Sequence, residues 1–134
     1  MGYIKDVVVD GVNMIANKRT GGRNARVMGN KAERLLLEQL THLGYEVRRT
    51  HLSLFPDIIA WNNDDFLLIE VKARTNPKAV TGALRVFRNS VKEMTKLPKR
   101  ANLLCYVRVN GTWRAFKSQN KDIIEVTPVV KEER

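Results

Sequence analysis

Apolar residues recur at helical spacing in two stretches of the chain. The first lies between Asn30, which can cap a helix, and Gly44, which can end one; its stripe is Leu36, Leu37, Leu40 and Leu43. The second runs from Ala83 to about Leu97 and is closed by Pro98; its stripe is Leu84, Phe87, Val91 and Met94. The spacing therefore predicts two helices, over residues 30–43 and 83–97.

Five shorter stretches have the alternation or the continuous apolar character of β-strands: residues 45–50, 57–61, 66–72, 103–109 and 112–117. Asn62–Asp65 predicts a hairpin turn between the second and third strands, and Asn110-Gly111 predicts another between the last two. The third strand is apolar on both faces until its end, which is typical of a central strand. This order predicts an α/β domain with a mixed sheet of about five strands flanked by helices.

The two ends of the chain have weaker patterns. Residues 18–26 contain two glycines and four cations, which predicts a mobile basic loop, either a solvated linker or an arm that grips phosphate. After Asp122 the chain has a short apolar piece and a charged end. We therefore expect one domain over residues 1–134, with a basic extension over 1–29, a core over about 30–117 and a tail over 118–134.

Composition narrows the class of protein. The chain has 134 residues, with 24 Lys+Arg against 14 Asp+Glu and a formal net charge of +10. No apolar run approaches the ~18 residues that a membrane-spanning helix needs, so we expect no membrane association. The single cysteine, Cys105, excludes an intrachain disulfide and a Cys-based zinc site. We expect a cytoplasmic protein whose partner is a polyanion, since excess positive charge attracts phosphate.

Acidic and basic side chains converge at one end of the predicted sheet. Glu70 and Lys72 are two residues apart on one strand and therefore point to the same face. Pairing about the Asn62–Asp65 turn puts Asp57 opposite roughly Glu70 to Lys72. Extending the leucine stripe of the first helix back by one turn reaches Glu33, a carboxylate on the buried side of that helix.

This combination suits metal-assisted hydrolysis of a phosphodiester. Close carboxylates are ionised together only with a cation between them, and hard oxygen ligands suit Mg²⁺ or Mn²⁺. An adjacent lysine can position the attacking water or stabilise developing charge. The structural alternative is a Glu70–Lys72 salt bridge, with Asp57 as a turn cap and Glu33 at the rim of its helix, where it favours the helix dipole.

These residues resemble a known nuclease motif. Pro56-Asp57 followed by Glu70-Val71-Lys72 resembles the PD-(D/E)xK motif, and Glu33 matches the acidic residue that those enzymes often carry on their first core helix. Within that superfamily the chain is most similar to the archaeal-type Holliday junction resolvases, over about residues 26–109. Three segments carry that similarity: Gly29–Arg34, Phe55–Ala60 and Leu68–Arg74.

The resemblance implies a restriction-endonuclease-like core and a homodimer that resolves four-way (Holliday) DNA junctions by paired symmetric nicks. It implies Mg²⁺ as the cofactor, with Mn²⁺ able to substitute. It also implies Glu33, Asp57 and Glu70 as metal ligands and Lys72 as the residue that positions or deprotonates water. The residues expected to bind DNA are Arg23, Arg26, Lys31, Arg34 and Arg74.

Two features depart from those resolvases. The loop before Pro56 is short, with Ser53 as its only serine, and the N-terminal extension is long. Two alternatives therefore stay open: a restriction- or repair-type nuclease of the same fold, and a non-catalytic DNA-binding module. A two-fold dimer would match the two equivalent scissile phosphates of a junction, and exposed apolar positions on the second helix and the last hairpin are the candidate interface.

Overall fold

The computed structural model describes residues 12–50, 55–94 and 98–130, with side chains described from residue 26 onward. Its helices are α1 (Val12–His42) and α2 (Val80–Glu93), the latter preceded by a 3-10 turn (Pro77–Ala79). Its strands are β1 (Glu46–Arg49), β2 (Ile58–Trp61), β3 (Phe66–Arg74), β4 (Asn102–Val109), β5 (Thr112–Gln119) and β6 (Asp122–Val126). The chain divides into two compact units, residues 1–31 and 32–134.

The first unit corrects the prediction of a basic loop. Residues 18–26 are helical, and α1 begins at Val12 instead of Asn30. Each of the two glycines weakens a helix by about 1 kcal/mol, but the Lys, Arg, Ala and Met residues around them favour one and no proline interrupts it. Among the expected DNA-binding residues of this unit, Arg26 and Lys31 are exposed, and the Arg23 side chain lies outside the described part of the chain.

The second unit contains one mixed sheet with the strand order β1-β2-β3-β4-β5-β6. Neighbouring strands are antiparallel except β3 and β4, which are parallel and are connected through α2. This confirms the predicted α/β class and the mixed sheet. Both predicted hairpins are present, and Asn110 and Gly111 have φ values of 51° and 84°, the positive angles that a tight hairpin turn needs.

The sheet has six strands where the sequence predicts about five. The sixth strand, β6, pairs antiparallel with β5 and lies within the range 118–134 that the sequence predicts to be a tail. The turn before it contains Asn120 at φ 57°, a left-handed conformation that asparagine tolerates without glycine. Ile123 and Val126 of β6 are half-buried against the core, which explains why a short apolar piece joins the sheet.

Apolar clusters cover both faces of the sheet. One contains residues 32–40 of α1 against β3, β4 and β5: Ala32, Leu36, Leu40, Ile69, Val71, Tyr106 and Trp113. The other packs α2 against the opposite face: Ala83, Phe87, Leu68, Cys105 and Val107. This confirms β3 as a central strand and Cys105 as a core residue. The stripe of α1 is centred on Ala32, Leu36 and Leu40, so Leu43 is exposed and Glu33 lies at the edge of the buried surface.

Candidate active site

Asp57 immediately precedes β2 and is held by its backbone on two sides. Its N–H donates to Ile69 O of β3 at 2.8 Å, and its carbonyl accepts from Thr50 N at 3.0 Å. Since Ile58 pairs with Ile69, continuing the register by one residue sets Asp57 opposite Glu70. The Asp57 Oδ2 atom accepts from Val71 N at 2.8 Å, so one carboxylate oxygen is anchored on β3. This agrees with the predicted pairing and leaves the other oxygen for a further partner.

Glu70 is a buried charged residue, with 4% of its surface exposed. Its Oε2 atom lies 3.6 Å from the Lys72 Nζ atom, which is too long for a hydrogen bond, and it has no hydrogen-bond partner. A carboxylate removed from water normally has its oxygens paired. The Glu70–Lys72 salt bridge of the structural alternative is thus present only as a loose contact, and it does not satisfy the buried oxygen.

The pKa values of both carboxyl groups are raised, and burial is the main cause. Burial raises the pKa of Asp57; the Val71 N–H opposes the increase and the nearby Glu33 charge adds to it. Burial also raises the pKa of Glu70; the Lys72 charge opposes the increase and the Asp57 charge adds to it. Burial therefore disfavours the ionised forms of two carboxyl groups that lie opposite each other in the sheet.

Glu33 of α1 has a partner that the sequence did not predict. Its Oε1 atom accepts a hydrogen bond from Arg49 Nε at 2.8 Å, and 19% of the Glu33 side chain and 33% of the Arg49 side chain are exposed. Arg49 ends β1 and pairs with Ile58, the residue after Asp57. The pairing register of β1 and β2 could have predicted this partner, because it places Arg49 at the same strand end as Asp57.

The donor set can be tested against a divalent cation. Within the described residues, no group of three or more Asp, Glu, His or Cys side chains is arranged to hold a metal ion. Mg²⁺ is commonly held by one or two carboxylates, with substrate phosphates and waters completing its shell. The unpartnered buried oxygen of Glu70 and the desolvated carboxylate of Asp57 fit that requirement, whereas Glu33 is paired with Arg49.

The remaining predicted residues fall in three places. Arg74 ends β3, donates to Ala73 O at 2.9 Å, and its charge lowers the pKa of Glu70. Arg34 is exposed on α1. Ser53, in the loop before Pro56, lies outside the described residues. The structure therefore brings Arg74 close to the carboxylates and leaves Arg34 in solvent.

The carboxylates of Asp57 and Glu70 lie at the open end of the β2–β3 hairpin, opposite its turn. A cavity of about 570 Å³ lies at the other end of the hairpin, where Trp61, Asp64, Phe66 and Arg100 line it. No helix in the described part of the chain is long and apolar enough to cross a membrane.

Comparisons with known proteins identify the family of this chain. Residues 24–131 match the family described as archaeal Holliday junction resolvase (hjc), a range that contains Glu33, Asp57, Glu70 and Lys72. The chain is also similar in structure to Archaeoglobus fulgidus Hjc, a Holliday junction resolvase from an archaeal hyperthermophile. That similarity has 23% identity, a TM-score of 0.44 and coverage of 73% of this chain and 82% of that one. No curated protein sequence matches the chain.

Proposed function

Since this chain belongs to the archaeal Holliday junction resolvase family and is a junction-resolving endonuclease, we propose that its active site consists of Glu33, Asp57, Glu70 and Lys72. We further propose that this site uses Mg²⁺, with Mn²⁺ able to substitute, since nucleases of this family generally use divalent metals. Family membership favours junction resolution over the restriction- or repair-type alternative. The complete set of four site residues argues against a non-catalytic module.

One observation carries the metal proposal: the Glu70 Oε2 atom is buried without a hydrogen-bond partner. Asp57 lies opposite it in the sheet, where facing side chains are ~5 Å apart at Cβ. The two carboxylates would hold the cation between them, and Glu33 would complete the set from α1. The cation, when bound, lowers the pKa of a coordinated water and stabilises the negative charge that develops on the phosphate.

Lys72 serves the same reaction from β3. Its side chain is a quarter exposed, and its ammonium lies 3.6 Å from the Glu70 Oε2 atom, beyond hydrogen-bond distance. An ammonium in that position can orient the attacking water or stabilise the charge on a phosphate oxygen. Lysine is suited to this role because its charge is compact and its side chain reaches from the strand to the open edge.

We propose that the basic residues expected from the resemblance bind the DNA, in line with the formal net charge of +10. Arg34 and Arg74, together with Arg23, Arg26 and Lys31, would contact backbone phosphates and read the shape of the junction instead of its sequence. Such binding weakens steeply as the salt concentration rises.

We propose that the enzyme acts as a homodimer and makes paired symmetric nicks, because a two-fold dimer presents two identical sites to a junction. On α2, Val86 is 46% exposed and fits the expected interface. The β4–β5 hairpin has no large exposed apolar side chain within the described residues; Ile124 of β6, at 40%, is the nearest candidate in sequence. The expected cytoplasmic location stays a prediction.

A cleavage assay tests the proposal. The substrates are a labelled immobile four-way junction, the matching linear duplex and a single strand, each with Mg²⁺, Mn²⁺ or EDTA. We expect paired nicks on the junction only, abolished by EDTA and reduced by about 10³-fold in Glu70→Ala with junction binding retained.

The matched control is Glu38→Ala, which removes an equal charge from an exposed position of α1. It should cleave at the wild-type rate. Wild-type cleavage by Glu70→Ala would refute the site, and preferential cutting of linear duplex would refute the proposed junction selectivity.

A further inference from the structure

Arg49 is the one cation in the described residues with a short ion pair to a proposed metal ligand. Its Nε donates to the Glu33 Oε1 atom at 2.8 Å, in a pair that is two-thirds or more shielded from solvent. Such a charge-assisted hydrogen bond is stronger than a neutral one, and partial burial reduces its screening by salt. Arg49 therefore holds one of the three proposed metal ligands.

The three proposed metal ligands do not form one cluster in the described structure. The described residues contain no group of three acidic, His or Cys side chains arranged around one point, although Glu33, Asp57 and Glu70 lie on neighbouring elements. Glu33 instead forms a short ion pair with the Arg49 guanidinium. For Glu33 to become a ligand, its hydrogen bond to Arg49 must be broken, and the positive charges of Arg49 and the incoming cation repel each other.

We propose that Arg49 competes with the divalent cation for Glu33, and so lowers the affinity of the DNA-free enzyme for that cation. This inference rests on the proposed metal site. Arg49 is here a positioning residue: it holds Glu33 in a fixed place while the cation is absent and releases it when the third ligand is needed. The cation concentration at which the site fills then depends both on the carboxylate ligands and on this competition.

The test is direct binding of Mn²⁺ to the full-length protein without DNA, measured from the electron paramagnetic resonance signal of free Mn²⁺. We expect Arg49→Gln to bind Mn²⁺ about tenfold more tightly than the wild type, because it removes both the competitor and the repulsion. A purely structural role predicts the opposite sign, since losing the partner of Glu33 would disorder a ligand and weaken binding.

The matched control is Arg48→Gln, which removes the same charge from the preceding residue of β1. Arg48 is exposed and donates to Val47 O, and its guanidinium lies 6.0 Å from the centre of the Trp61 ring. We expect it to leave Mn²⁺ affinity unchanged within twofold. A gain equal to that of Arg49→Gln would overturn the inference, because the effect would then reflect net charge alone.

A double-mutant cycle shows whether Arg49 acts through Glu33. In a Glu33→Gln background, Arg49→Gln should increase Mn²⁺ affinity by clearly less than tenfold, because there is no carboxylate left to release. An equal gain in both backgrounds would overturn the competition. If Arg49→Gln does not fold, as judged by circular dichroism, Arg49→Lys replaces it. Lysine lacks the guanidinium fork, so it should also bind Mn²⁺ more tightly than the wild type, and equal or weaker binding would count against the inference.

Failure of this inference can be separated from failure of the proposed site. If the wild type does not bind Mn²⁺, or if Glu70→Gln binds it equally well, the metal site itself is wrong. If binding is lost in Glu70→Gln while Arg49→Gln binds no more tightly than the wild type, the metal site stands and the competition is refuted.

Discussion

The two ends of the β2–β3 hairpin carry similar polar residues in opposite states. At the turn, Asn62 Oδ1 accepts from Asp64 N at 2.9 Å and from Asp65 N at 2.7 Å, and Asn62 N donates to Asp65 O at 3.0 Å. The Asp65 Oδ2 atom accepts from the Tyr45 hydroxyl at 2.9 Å. Local side-chain bonds of this kind close a turn and stabilise it.

At the open end of the same two strands, Asp57 has one such partner, the Val71 N–H, and the Glu70 Oε2 atom has none. Glu70 is almost fully buried with one oxygen unsatisfied, and Asp57 opposite it has a raised pKa because of burial. Both ends contain acidic residues, so composition does not explain the difference. The difference lies in whether each carboxylate has a donor within reach once it leaves water.

The comparison indicates that the turn end of the hairpin stabilises the fold, whereas the open end carries the candidate active site. The turn end has satisfied polar groups and sets the register, which in turn brings Asp57 opposite Glu70. The open end keeps two carboxyl groups where burial disfavours their ionised forms, a cost that proteins accept at sites that await a ligand. Three predictions test this difference between the two ends.

The first concerns the pH dependence of metal binding. Because the pKa values of Asp57 and Glu70 are raised, protons compete with the cation at a higher pH than for ordinary carboxyl groups. We expect Mn²⁺ affinity to fall as pH is lowered, by up to about a hundredfold over two pH units for each group that takes up a proton. Calorimetric titration between pH 7.5 and pH 5.5 measures this, and a constant affinity across that range would contradict it.

The second concerns the turn end. Asn62→Ala removes the acceptor for two backbone N–H groups and should lower the free energy of unfolding by about 1–2 kcal/mol. Junction cleavage at a temperature where the variant is folded should be unchanged, because the carboxylates are at the far end of the strands. Urea unfolding measures the stability, with the exposed neighbour Asn63→Ala as control. A loss of cleavage without a loss of stability would contradict the claim that the turn end serves stability and not catalysis.

The third concerns stability at the open end and has the opposite sign. Glu70→Gln should raise the free energy of unfolding of the metal-free protein at neutral pH by about 1 kcal/mol, because it removes a buried charge. A carboxyl group whose pKa is raised on folding costs stability above that pKa, and the cost disappears as pH falls below its ordinary value of 4.5. The gain should therefore shrink on acidification. A destabilised Glu70→Gln at neutral pH would show that the Glu70–Lys72 contact stabilises the fold.

Much of the site could be predicted because its residues are related by short-range rules. The period of two along β3 places Glu70 and Lys72 on one face, and a hairpin turn of known position determines which residue faces Glu70. Those two rules bring Asp57, Glu70 and Lys72 together without knowledge of the rest of the molecule. The Asn110-Gly111 turn and the two-sided burial of β3 follow from equally local patterns.

Other features needed the tertiary structure, because they depend on contacts between residues distant in sequence. The Glu33–Arg49 pair joins α1 to the end of β1, and the unsatisfied oxygen of Glu70 depends on how closely the core excludes water. The pairing of β6 with β5 and the helical state of residues 18–26 were also missed. In each case the local preference is weak, and the packing of neighbouring elements decides the outcome. The sequence thus determined which carboxylates meet; the tertiary structure decided which of them has a partner, because only packing sets burial and the reach of a distant arginine.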